Sequence, residues 1–153
     1  MKISVFSESD LDPVVEIEND SFRQPWQRMS FLEELSCKNA LNLVVKGNKF
    51  LPLEKVVAYL CSRLIREEMY ILKVAVAESW RRHGIASLLL EEGLQAAGKN
   101  ATVSAILDVR LSNRPAICLY KKHGFQTVGI RPNYYLDTGE AALVMKKNLK
   151  EDL

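Results

Sequence analysis

The sequence predicts one mixed α/β domain: a sheet of about seven strands with helices on both faces, in the order β-α-α-β-β-β-α-β-α-β-β. Three observations carry that expectation. Apolar, β-branched runs recur along the 153 residues and alternate with stretches whose apolar residues repeat at helical spacing. No internal repeat, low-complexity tract or Pro/Gly/Ser-rich linker divides the chain, and 48% apolar with 26% charged residues is an ordinary globular balance. The central piece runs strand, helix, strand, helix, which calls for a right-handed parallel crossover. Residues 1–153 therefore read as a single domain, long enough to bury a sizeable core.

The elements follow in order. Lys2 to Phe6 alternates as a short strand. Ser9 and Asp10 offer N-caps for an amphipathic helix carrying Leu11, Val14, Val15, Ile17 and Phe22. Phe22-Arg23-Gln24-Pro25-Trp26 breaks it, and Met29 to Leu35 forms the next helix. Leu41 to Val45 is a strand closed by the turn-prone Lys46-Gly47-Asn48. Val56 to Leu64 and Met69 to Val76 are longer strands, split by Arg66-Glu67-Glu68 as a hairpin would be. Gly84 to Ala97 is helical, with Ile85, Leu88, Leu89 and Leu94 toward the core. Val103 to Val109 is a buried strand. Asn113 to His123 is a helix with Pro115 in its first turn, Lys121 and Lys122 in its last, and Gly124 as a left-handed stop. Gln126 to Ile130 and Ala141 to Met145 are the final strands, joined by a loop containing Arg131, Tyr134 and Tyr135.

Composition excludes several classes of function. A formal charge of +2 with scattered basic residues gives no nucleic-acid footprint. No apolar run approaches the ~20 residues that span a bilayer, and no basic-then-apolar leader stands at the N-terminus, so a cytoplasmic protein is expected. Cys37, Cys61 and Cys118 lack metal-ligand spacing and read as buried thiols. The two histidines, His83 and His123, make no nucleophile pair, and no metal site is expected. His123 fits the preference for positive charge at a helix C-terminus.

The chemistry concentrates at two strand ends. Val74-Ala75-Val76-Ala77 stops at Glu78-Ser79-Trp80-Arg81-Arg82-His83, and Gly84-Ile85-Ala86 opens a helix. A helix start presents unpaired N–H groups and the positive end of its dipole, and two guanidinium forks beside it suit phosphate oxygens. The turn is neither a P-loop nor the three-glycine dinucleotide fingerprint. It reads as a seat for a pyrophosphate, with only the backbone of His83 taking part. At the second end, Asp108 and Arg110 share one strand face. Asn113 and Tyr120, two helical turns apart, share one helix face. Ligands of open sheets sit beyond such strand ends.

Arg81-x-x-Gly84-x-Ala86 resembles the acyl-CoA signature of the GNAT acetyltransferase superfamily. Leu107-Asp108-Val109-Arg110-Leu111-Ser112-Asn113, Ala116-Ile117-Cys118-Leu119-Tyr120 and Gly124-Phe125 are similar to the hallmark of its ribosomal-protein-alanine N-acetyltransferases (RimI-like enzymes). Arg131-x-x-Tyr134-Tyr135 and Phe22-x-x-Pro25-Trp26 also resemble that subfamily, and the likeness runs from about Ile3 to Met145. The resemblance implies a GNAT fold and acetyl-CoA as cosubstrate. Its site would comprise the backbone of Val74, Ala75 and Val76, with Arg81, Arg82, His83, Gly84, Ile85, Ala86 and Asn113. It further implies Tyr120 as general acid, Asp108 as general base, and Tyr134 and Tyr135 against the acceptor. The acceptor implied is a protein N-terminus, ribosomal by type, and the chain would be a monomer or weak dimer.

Direct acyl transfer needs a base, because a free α-amine with a pKa of about 7.7–8.0 is mostly protonated at neutral pH. It also needs donors for the thioester oxygen, expected from the bulged end of the fourth strand, and a phenol for the departing thiolate. The subfamily carries Glu where this chain has Asp108, which sets the carboxylate back by one methylene. The residues fit plainer roles too. Asp108 would pair with Arg110, Tyr120 would fill the core, Tyr134 and Tyr135 would plug the last hairpin, and Phe22 and Trp26 would pack. Two other functions follow from the same residues: acetylation of a small-molecule amine or lysine side chain, and a CoA-binding regulatory module without catalysis.

Overall fold

The computed structural model describes residues 1–47 and 54–150. Its strands are β1 (Lys2–Val5), β2 (Ala40–Gly47), β3 (Lys55–Ile65), β4 (Glu68–Val76), β5 (Ser104–Arg110), β6 (Gln126–Arg131) and β7 (Ala142–Asn148). The helices are α1 (Leu11–Ser21), α2 (Arg28–Ser36), α3 (Ile85–Lys99) and α4 (Arg114–Lys122), interleaved in the predicted order. One sheet, ordered β1-β2-β3-β4-β5-β7-β6, separates two cores. α3 and α4 cover one face over Leu60, Met69, Leu89, Leu107 and Met145. α1 and α2 cover the other over Val14, Phe31, Val44 and Tyr59.

Among the described residues only β4 and β5 pair in parallel, and they do so briefly. Their ladder runs from Glu68↔Ser104 to Ile71↔Leu107 and stops. β4 continues along β3 as far as Ala58↔Val76, and β5 continues along β7 as far as Arg110↔Ala142. The two strands thus part while each keeps its outer neighbour, opening a gap in mid-sheet. Where the ladder stops, β4 also bulges. Cys61 faces Lys73 but Ser62 faces Ile71, so Leu72 is the extra residue. One inserted residue reverses every later side chain. Met69 and Ile71 enter the α3 core, whereas Val74 and Val76 pack against it from even positions, and Ala75 lies in the α1 core.

Several expectations are corrected. Lys46 and Gly47 belong to β2 rather than a turn, because their backbones pair with Val56 and Lys55. Asn48 and residues 151–153 of the predicted domain lie outside the described residues. The α1 entry is capped one turn early: the Asp10 carboxylate accepts from Ser7 N (2.9 Å) and Ser7 Oγ (3.2 Å), and residues Glu8–Asp10 form a 3-10 turn. On α3, Leu90 replaces Leu88 in the core, since the stripe Ile85, Leu89, Leu90, Gly93, Leu94 leaves Leu88 at its edge. Of the three thiols only Cys61 is buried; Cys37 is half-buried and Cys118 exposed. Helix α4 turns Cys118 away from the core that Tyr120 enters.

Candidate active site

The gap between β4 and β5 is the seam of two adjoining cavities. The larger, about 610 Å³, is lined by Val74, Ala75 and Val76 of β4, by Arg81, Arg82, Gly84, Ile85 and Ala86, and by Asn113 and Tyr120. The smaller, about 420 Å³, is lined by Leu72, Lys73, Asp108, Arg110, Tyr134 and Tyr135, with Phe22, Arg23, Gln24 and Trp26 of the α1–α2 loop. Phe22, Val74, Asn113, Ala116 and Tyr120 border both. Every predicted residue except His83 falls on one wall or the other. His83 is exposed, its Nδ1 3.1 Å from Trp80 O.

The turn expected to seat a pyrophosphate is built by backbone conformation. Arg82 (φ 65°) and Gly84 (φ 77°) are both left-handed, and alternation of this kind turns successive N–H groups inward as an anion-binding nest. Gly84 is the N-cap of α3, and no side chain caps that end. A Cβ built on Gly84 would meet nothing within 4 Å, so its need is for the positive φ and for an open cradle. Arg81 is fixed by Nε to Val76 O (3.0 Å) and by its guanidinium to Ser21 Oγ (3.2 Å), which ties the turn to β4 and α1. Trp80, on the same wall, packs so close to Gly47 that an added Cβ would stand 2.9 Å from its ring.

At the second strand end, Asn113 caps α4, its Oδ1 accepting from Ala116 N at 3.3 Å. Tyr120 is buried on the α3 side, edge-on to Phe125 at 5.7 Å between centroids. Burial, and then repulsion from Tyr135, pushes its phenol up to about 12. Asp108 alternates with Leu107 and Val109, which enter the α3 core, so it leaves the sheet on the opposite face. The gap therefore has a phenol on one side and a carboxylate on the other.

The Asp108–Arg110 pair, the plainer alternative for these two residues, does not form. Asp108 Oδ1 accepts from Arg131 Nε at 3.0 Å, and Arg110 turns to the β6–β7 loop. There it grips Asp137 through both carboxylate oxygens (2.9 and 2.8 Å), and its guanidinium lies 4.0 Å over the Tyr135 ring. Glu140 accepts from Ser112 N and reaches Arg110 at 3.5 Å. Burial raises Asp137, but donation and charge from Arg110, together with backbone N–H donors at Asp137 and Thr138, outweigh it and hold the carboxyl below its ordinary range. Glu140 is held low by Ser112 and then Arg110. Tyr134 and Tyr135 meet edge to face at 5.1 Å. The motif Arg110-x-Ser112 thus carries the tyrosine loop, a role that sequence reasoning missed because its partners lie 27 and 28 residues on.

His123 is corrected as well. Burial lowers its pKa, and its Nε2 lies 3.0 Å from Ser87 Oγ, so the ring is biased toward neutrality instead of serving as the helix-end cation. Phe22 and Trp26 pack, as expected, and also line the smaller cavity.

A split parallel pair, a bulged β4 and an anion-binding helix start define an acyl-CoA transferase scaffold. The model of the Acetyltransferase (GNAT) family matches residues 11–125, and the chain belongs to that family. A relative from Bacillus subtilis (strain 168) is 34% identical over 143 residues, 93% of this chain and 91% of its own. The [Ribosomal protein bS18]-alanine N-acetyltransferase of Escherichia coli (strain K12) is 30% identical over 145 residues, 94% of each chain. The solved structure of the ribosomal-protein-S18-alanine N-acetyltransferase from Escherichia coli superposes with a TM-score of 0.87 at 29% identity, covering 97% of this chain and 93% of that one.

Proposed function

We propose that this acetyltransferase moves the acetyl group of acetyl-CoA to the N-terminal α-amine of a protein, an alanine-initiated ribosomal protein by type. The observation that carries the reading is the meeting of two cavities at Tyr120 through the β4–β5 gap. A wide channel bordered by a phosphate seat suits the cosubstrate, and a narrower one walled by aromatic rings suits an extended peptide end. The relatives' substrate supports the acceptor class.

Each residue has a role in this scheme. Arg81, Arg82 and the first-turn amides of α3 hold the diphosphate. Bound acetyl-CoA supplies an acyl thioester. The β4 backbone beyond Leu72, unpaired on its β5 side, donates to the thioester oxygen as charge develops there. Asp108 accepts the proton that the α-ammonium must shed, and Tyr120 protonates the departing thiolate. Tyr134 and Tyr135 flank the acceptor. No covalent enzyme intermediate is needed.

Mass spectrometry of alanine-initiated peptides after incubation with acetyl-CoA tests the proposal. Acetyl at the α-amine is expected; acetyl confined to lysine Nζ would refute it. Replacing Arg81 and Arg82 together by Ala should weaken acetyl-CoA binding at least about tenfold, since charge-assisted bonds contribute roughly 1.5–3 kcal/mol each. Calorimetry measures this, and unchanged affinity would empty the phosphate seat. Asp108→Glu should raise kcat/KM several-fold, because roughly an ångström of misplacement is costly in such a reaction. An unchanged rate would leave Asp108 as an anchor of Arg131 and Tyr134. Tight acetyl-CoA binding without thiol release across a broad amine panel would instead describe a regulatory CoA-binding module.

A further inference from the structure

Lys73 is the one β4 cation on the acceptor side of the sheet, and the Leu72 bulge put it there. Its Nζ lies 2.8 Å from Glu18 Oε2 of α1, 3.8 Å from the centre of the Phe22 ring and 5.2 Å from that of Trp26. Glu18 is fully buried, and its Oε2 also accepts from the backbone N–H of Trp26 at 2.8 Å. Residues 23–26 make no backbone–backbone hydrogen bond among the described residues. Beyond the packing of Phe22 and Trp26 on the α1 core, this loop is tied down by Glu18 beneath one end and a cation beneath two of its rings. The loop is the wall of the smaller cavity that stands apart from the tyrosine loop.

We propose that Lys73 is a positioning residue for the acceptor: paired with Glu18, it sets the height of the Phe22–Trp26 wall over the peptide channel. The inference rests on the smaller cavity being the acceptor channel. The larger cavity meets the loop only at Phe22, so the cosubstrate should be insensitive to it. Register and ring packing are charge-dependent here, since an ammonium is attracted to ring faces while a neutral chain of equal length is not.

Lys73→Met, Lys73→Arg and the double variant Glu18→Gln/Lys73→Met are compared with the unmodified protein on an alanine-initiated peptide. Lys73→Met should raise the peptide KM by about tenfold or more, lower kcat by less, and leave the acetyl-CoA Kd within about twofold. Lys73→Arg, which keeps charge and stacking, should recover most of the loss. The double variant removes the stranded charge and so regains thermal stability, yet keeps the raised KM. Hydrogen exchange of the Trp26 amide, measured without substrates, should quicken in Lys73→Met. An unchanged KM in folded Lys73→Met, a parallel rise in KM and acetyl-CoA Kd, or unaltered Trp26 exchange would overturn the assignment. If the unmodified protein acetylates no peptide α-amine, the proposed function fails instead, and Trp26 exchange still decides the positioning.

Discussion

Tyr120→Phe should lower kcat by about 10²–10⁴-fold, the range ascribed to a positioned proton donor, while acetyl-CoA affinity and melting temperature stay near those of the unmodified protein. The separation follows from where the oxygen is. The ring is 8% exposed and packs edge-on to Phe125, contacts that phenylalanine keeps. Tyr120 borders both cavities, and the pKa of its hydroxyl is set by burial and Tyr135 with no hydrogen bond contributing. Removing it therefore strands no buried partner. A phenol held at about 12 also stays protonated across the working range. The rate should climb as the acceptor amine loses its proton near pH 8, and then hold level to about pH 10 without an alkaline fall. Stopped-flow thiol release over that range checks both points. A kcat within threefold of the unmodified enzyme, or an alkaline decline centred near pH 9, would remove Tyr120 as the acid.

The parts of this site that could be read from sequence are those in which local geometry forces a residue type. Gly84 is legible because a strand that turns directly into a helix calls for a glycine there, and Asn113 because its spacing sets it on one helix face with Tyr120; that Asn113 also caps α4 is seen only in the structure. The seven strands were legible from their periodicity. The partners of Asp108 and Arg110 were not, because they depend on how β6 and β7 fold back, and two charges on one strand face offer a nearer pairing. A bulged end to the fourth strand was expected, but its position at Leu72 carries no turn residue to mark it. Its trace is a slip of phase, Met69 and Ile71 followed by Val74 and Val76, with Lys73 as a cation amid apolar neighbours. Glu18 left a similar trace. It stands four residues after Val14 and four before Phe22, on the stripe that an amphipathic helix reserves for its core. A charge on that stripe calls for a partner, but one 55 residues away has no signature in spacing.

Those two charges set the second large effect. Glu18→Ala should destabilise the fold by about 3–5 kcal/mol, the range for breaking a buried ion pair by deleting one partner. The carboxylate is fully buried and takes three donors: the Tyr59 hydroxyl, Trp26 N–H at 2.8 Å and Lys73 Nζ at 2.8 Å. Tyr59 is itself fully buried, and burial and then Glu18 hold its pKa far above the ordinary phenol range, so it remains a donor at every working pH. Alanine leaves all three donors without that acceptor, and the fully buried Tyr59 hydroxyl is the one furthest from water. At roughly 2–4 °C per kcal/mol for a domain of this size, the melting temperature should fall by about 10 °C. The Arg28–Asp12 pair supplies the contrast, with side chains 53% and 85% exposed. Asp12→Ala should shift stability by less than about 1 kcal/mol, as exposed pairs do. Thermal melts of the two variants side by side decide the matter. Equal small shifts would mean that water reaches the α1–β4 interface and that the pair is no more than a surface contact.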